Sequence, residues 1–127
     1  MSRPVAVAAQ NLIKKKEGLS LVPYRCQAGV ATIGYGCTVY PPWYAAGKKV
    51  AMNDPPITEN MAVAFLNHDL ERFSDAVEQA TGGKANDNEH GAMVSLAYNI
   101  GLTMLSMMFI PMYFGILLYF VPRIKAL

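Results

Sequence analysis

Apolar residues recur at helical spacing near the start of the chain: Val5, Ala9, Leu12 and Ile13, with Lys16 continuing the row. This spacing predicts an amphipathic helix over about 5–17, and Gly18 is suited to end it. From Leu19 to about Tyr44 the pattern changes. Gly29, Gly34 and Gly36 punctuate segments rich in Val, Ile, Thr and Tyr, which predicts a small sheet of two or three strands. Pro41-Pro42 and Gly47 open a loop that runs through Asn53-Asp54-Pro55-Pro56. Thr58 is then placed to cap a helix whose apolar face is Ala62, Phe65, Leu66, Leu70, Phe73 and Val77, ending near Gly82-Gly83. The interleaved His68, Asp69, Glu71, Arg72, Asp75 and Glu78 read as its solvated face. Asn88 is a candidate cap for a further helix through Met93, Leu96, Ala97 and Ile100, stopped by Gly101. Helix, small sheet, then helices is an α+β order.

Composition adds bounds. A chain of 127 residues makes one domain with a sizeable core. The formal charge of +2 suits approach to an anionic polymer but is too weak to argue for nucleic acid. Cys26 and Cys37 are the two cysteines; they can form one bridge but no disulfide framework. No CxxC or HExxH occurs, and His68 and His90 lie far from both thiols, so no metal site is expected. The run Val5–Ala9 is broken by Gln10 and Asn11 before Lys14, Lys15 and Lys16, an order that does not fit a secretory signal.

The densest chemistry lies in EGLSLVPYRCQAGVATIGYG. Glu17 stands at the end of the first helix, and no other Asp or Glu occurs before Asp54. The helix dipole disfavours its charge, and the neighbours Leu19, Leu21 and Ile33 are candidates to desolvate it. Both effects raise a carboxyl pKa, the direction a general acid needs. Cys26 and Thr32 follow on the strand-like segment. A free thiol is mostly protonated at neutral pH and makes a weak base unless its pKa is lowered. Adjacent Arg25 points to the opposite strand face. Thr32 offers a hydroxyl, and equally suits a strand as a β-branched residue.

The spacing of Glu17, Cys26 and Thr32 resembles the catalytic motif of phage-type lysozymes, the endolysins of T4 and lambdoid phages. That motif reads E, eight residues, D or C, five residues, T. TIGYG (Thr32–Gly36) resembles the family's glycine-rich strand turn. ITE (Ile57–Glu59) and HDLERF (His68–Phe73) resemble the helix after its sheet, and AMVSLAYNIG (Ala92–Gly101) its central helix. Many relatives carry His where Cys37 stands, and a Cys26–Cys37 bridge would remove the thiol from any catalytic role.

The resemblance implies a lysozyme-like fold and a muramidase cleaving the β-1,4 bond between N-acetylmuramic acid and N-acetylglucosamine in bacterial peptidoglycan. Glu17 would be the acid, Cys26 the second catalytic position, and Thr32 the holder of water or partner. It also implies no metal or organic cofactor, a monomer, and a host-cytoplasmic protein that reaches the wall through a holin lesion.

The likeness covers about residues 6–101; residues 1–101 are expected to form a truncated lysozyme-like domain, followed by a distinct tail, 102–127. Leu102–Val121 carries no charge, and at about 1.5 Å per residue such a helix spans roughly 30 Å, the thickness of a bilayer core. Three readings stand for it: a membrane span followed by Arg123 and Lys125, a core helix filled by Met104, Met107, Met108 and Met112, or out-of-frame sequence. Uncovered apolar helix faces predict a poorly soluble, weakly lytic or inactive chain. The rival functions are a non-enzymatic membrane-active protein and a glycan-binding remnant.

Overall fold

The computed structural model describes residues 3–100; the tail 102–127, and with it the expected membrane segment 102–121, lies outside the described residues. Four helices and one antiparallel hairpin form the described chain: α1 Val7–Glu17, β1 Ser20–Arg25, β2 Ala31–Gly34, α2 Pro42–Ala45, α3 Glu59–Thr81 and α4 Asp87–Ile100. This is the expected α+β arrangement. The chain divides into two compact units, one of residues 12–70 and one that joins the chain before Leu12 to the chain after Leu70.

In the 12–70 unit, Tyr24 pairs with Thr32 and Arg25 with Ala31, while the register shifts between Ser20 and Tyr24. Past the hairpin, Ile33 and Cys37 exchange both backbone bonds, at 2.9 and 2.8 Å, around a three-residue turn. A second bridge joins Val39 to Lys49. The core is Ile33, Cys37, Tyr40, Val50, Ile57, Ala62 and Phe65. Gly34 has φ +66°, and a methyl group on it would lie 3.3 Å from Ala62 Cβ, so the absence of a side chain lets β2 close on α3. Asp54 clasps the intervening loop: it accepts from the Tyr40 hydroxyl at 2.9 Å, the Ala51 N–H at 2.8 Å and the Lys48 ammonium at 2.6 Å. These donors hold its carboxyl below the usual carboxylate range, Lys48 contributing most.

Thr58 caps α3 as expected, accepting from the Met61 N–H at 3.2 Å. The helix stops at Thr81, where Gly82 turns left-handed and Gly83 N–H returns to Glu78 O at 3.1 Å.

In the other unit, Arg3 ties the N-terminal segment to both helices. Its guanidinium donates to Glu78 Oε1 at 2.7 Å, Ala85 O at 2.9 Å and Asp87 Oδ1 at 2.8 Å. Buried Ser74 donates to Arg3 O at 2.6 Å and lies 3.0 Å from His90 Nε2. Because the one hydroxyl proton goes to the carbonyl, His90 Nε2–H is the donor to Ser74. Gly91 lets α4 approach α1; a methyl group there would lie 3.1 Å from Ala9 Cβ.

Four expectations are corrected. Leu12 is exposed rather than on the buried stripe, which runs through Val5, Ala9 and Ile13. Asp69 is buried at 6 % exposure, because its spacing from Phe65 and Leu66 sets it within the apolar row of α3. Asn86, not Asn88, caps α4: its side chain accepts from Glu89 N–H at 2.8 Å, and its own N–H donates to Glu89 Oε1 at 3.0 Å. The expected loop after Tyr40 contains the short helix α2, opened by Pro42 at a position where its missing N–H costs nothing. The alternative left open for the two cysteines resolves against a bridge: Cys26 and Cys37 form no disulfide.

Candidate active site

Glu17 is the last residue of α1. Gly18, at φ +70°, turns the chain away while its N–H bonds Lys14 O at 2.9 Å. The Glu17 side chain lies against the backbone of Gly36: a methyl group on that glycine would stand 3.0 Å from Oε2 and 3.2 Å from Cδ. Burial raises the Glu17 pKa, opposed by the charge of Lys16. The expected source of this desolvation is corrected in part. Leu19 and Leu21 are exposed and Ile33 is buried in the core, whereas Gly36 makes the close approach. Lys14, one turn before Glu17, holds its ammonium 5.7 Å from the centroid of the Tyr35 ring.

Cys26 begins the hairpin turn. Its carbonyl accepts from Gly29 N–H at 2.8 Å and its N–H donates to Val30 O at 3.0 Å. Gly29, at φ +77°, supplies the left-handed residue that a three-residue hairpin loop requires. Side chains two apart on a strand share a face, so Tyr24 and Cys26 point the same way. Tyr24 is paired with Thr32, which sets Thr32 on that face and diagonal to Cys26. The thiol pKa is lowered chiefly by the Val30 backbone, then by that of Ala28. Thr32 itself is buried and donates to Val30 O at 2.9 Å.

Glu17 joins the group through Tyr24. Burial raises the phenol pKa most, and the charges of Glu17 and Cys26 both add to it, so the hydroxyl stands within the field of each. Cys26 and Thr32 therefore share a hairpin face with Tyr24, and Tyr24 lies within the field of Glu17 at the end of α1. Cys37, by contrast, is buried in the core and donates its S–H to Val39 O at 3.2 Å. Sequence reading passed over Tyr24 and Gly36. The period-two spacing of Tyr24 and Cys26 signals the first, while nothing local signals that Gly36 meets Glu17. The arrangement offers a carboxyl suited to keeping its proton and a thiol inclined to lose one. Among the described residues, no group of three His, Cys, Asp or Glu side chains is placed to hold a metal ion.

The family described as Phage lysozyme matches residues 14–109. The endolysin of Acyrthosiphon pisum secondary endosymbiont phage 1 is 35 % identical over 92 residues, covering 72 % of this chain and 56 % of the relative. The endolysin of Salmonella phage P22 is 33 % identical over 89 residues, covering 70 % and 58 %. The chain thus spans little more than half the length of these curated relatives. Among solved structures, the endolysin from Escherichia coli O157:H7 phage FAHEc1 superposes with a TM-score of 0.69 at 37 % identity, covering 85 % of this chain and 65 % of that one. The muramidase domain of SpmX from Asticaccaulis excentricus superposes at 0.59 with 28 % identity, covering 82 % and 64 %.

Proposed function

The chain belongs to the phage lysozyme family, and from that membership we propose that it is a muramidase acting in host cell lysis. Its substrate is the β-1,4 bond between N-acetylmuramic acid and N-acetylglucosamine in bacterial peptidoglycan. Glu17 protonates the leaving glycosidic oxygen as the bond breaks. Cys26 serves on the opposite side of the sugar, with its charge stabilised by the turn amides, and Thr32 holds, through its hydroxyl oxygen, the water that ends on the anomeric carbon the leaving oxygen vacates. The protein acts as a monomer with no metal or organic cofactor. It is held in the host cytoplasm until a holin opens the membrane.

The observation that supports this reading most is the desolvated Glu17 carboxyl beside a hairpin face that carries a polarised thiol. Only the protonated carboxyl can donate, and burial favours that form.

The test is product analysis. Purified protein incubated with isolated peptidoglycan should release fragments that end in reducing N-acetylmuramic acid. Fragments that end in anhydro-muramic acid or reducing N-acetylglucosamine, or wall binding with no release, would reject the proposal.

A further inference from the structure

The acid at the end of α1 has little in its own helix to hold it. Glu17 is the terminal helical residue, the chain turns away at Gly18, and a solvated Glu there samples several rotamers. What fixes the carboxyl is contact with a turn from elsewhere in the chain. Ile33 and Cys37 close that turn by exchanging both backbone bonds, and both ends are buried, at 0 % and 1 % exposure. Gly34 is pressed onto Ala62, and the Tyr35 ring meets the Lys14 ammonium. Gly36 is thus carried on a rigid support against the last turn of α1. Its φ of +89° already favours glycine, but conformation is only half of its role. A side chain there would stand 3.0 Å from Oε2, 3.2 Å from Cδ and 3.3 Å from Cγ of Glu17.

We propose that Gly36 is a positioning residue for the acid: its missing side chain is the seat in which the Glu17 carboxyl is held and shielded from water. The catalytic part of this inference rests on the reading of Glu17 as general acid; the contact itself does not. Any side chain at position 36 expels the carboxyl into solvent. The charged and titratable groups about it are Lys16 on its own helix and Tyr24 on the hairpin.

Backbone strain and the lost seat can be separated with Gly47, which has φ +75° and nothing within 4 Å of where a side chain would begin. Gly47→Ala therefore reports strain alone. In thermal melts of the full chain below pH 4.5, where the Glu17 carboxyl is protonated and its burial is favourable, Gly36→Ala should lower Tm more than Gly47→Ala. That excess should vanish when Glu17→Ala is added. Equal costs for both glycine substitutions, unchanged by Glu17→Ala, would overturn the proposal. A measurement on the unmutated protein covers the case in which Gly36→Ala does not fold. The Gly36 backbone amide resonance should titrate with Glu17 and lose that titration in Glu17→Gln, while Gly47 stays flat; a flat Gly36 amide would also overturn it. For turnover, Gly36→Ala should cost about 100-fold, the scale of an ångström's misplacement, and move the alkaline limb of the pH profile to lower pH. An unchanged pH profile would contradict the role in catalysis. If Glu17→Gln leaves turnover intact while the stability coupling persists, the muramidase assignment fails and the contact survives.

Discussion

Tyr24 is the cross-strand partner of Thr32, and that pairing fixes which way Cys26 faces. With Tyr24 and Thr32 opposite one another, Cys26 is two residues along the same face, diagonal to Thr32. The geometry of the candidate site therefore depends on hairpin register more than on the turn itself. A slip of one residue would send the thiol to the other side of the sheet.

Cys26→Asp should keep turnover, since a carboxylate of similar reach can accept the same amide hydrogen bonds from Val30 and Ala28. Cys26→Leu should abolish it while leaving the fold intact. Rates of peptidoglycan fragment release, with circular dichroism as the folding control, check both.

Glu17 should lower stability at neutral pH. Its folded-state pKa is raised above the ordinary 4.5 by burial. The stability linked to it is therefore fully present below 4.5 and lost as pH rises through the raised value. Glu17→Gln should accordingly melt higher than wild type at pH 7, and the difference should close in acid. Melts across that range in low-salt buffer measure it.

His90 carries the opposite sign. Burial, and then the charge of Arg3, lower its pKa below 6.5, with Glu78 and Asp87 opposing. Stability is full above 6.5 and declines as pH falls toward the lowered value. His90→Gln, which can still donate to Ser74, should flatten that decline. Tm measured between about pH 7 and 4.5, values that bracket an ordinary imidazole, provides the check.

Arg3 and Asp87 should behave unequally although they form one ion pair. Asp87 is 86 % exposed, so Asp87→Ala should change stability by no more than about 0.5 kcal/mol. Arg3→Ala also strips the partly buried Glu78 and the Ala85 carbonyl of their donor, and should cost about 1–3 kcal/mol. Denaturant midpoints on the two variants separate the cases.

Much of this was legible in the sequence, for physical reasons. Thr58 and the Gly82-Gly83 pair marked the ends of α3 because a capping oxygen and a left-handed residue are needed there. Asn86 was passed over for Asn88, yet Glu89 three residues after Asn86 is the reciprocal capping signal that distinguishes them. Asp69 was misassigned because its polarity outweighed its position on the apolar row. At the candidate site, the spacing of Glu17, Cys26 and Thr32 drew attention to the end of α1 and the hairpin that follows it. The seat at Gly36 was not legible, since it arises only when a distant turn is folded back against α1.

The most direct measurement is fragment release from isolated peptidoglycan by wild type and Glu17→Gln, compared at equal concentrations of folded protein. A general acid contributes about 100-fold or more, so the amide variant should fall by at least that factor while melting no lower than wild type at pH 7. Release by Glu17→Gln at the wild-type rate would contradict the assignment of Glu17 as the acid.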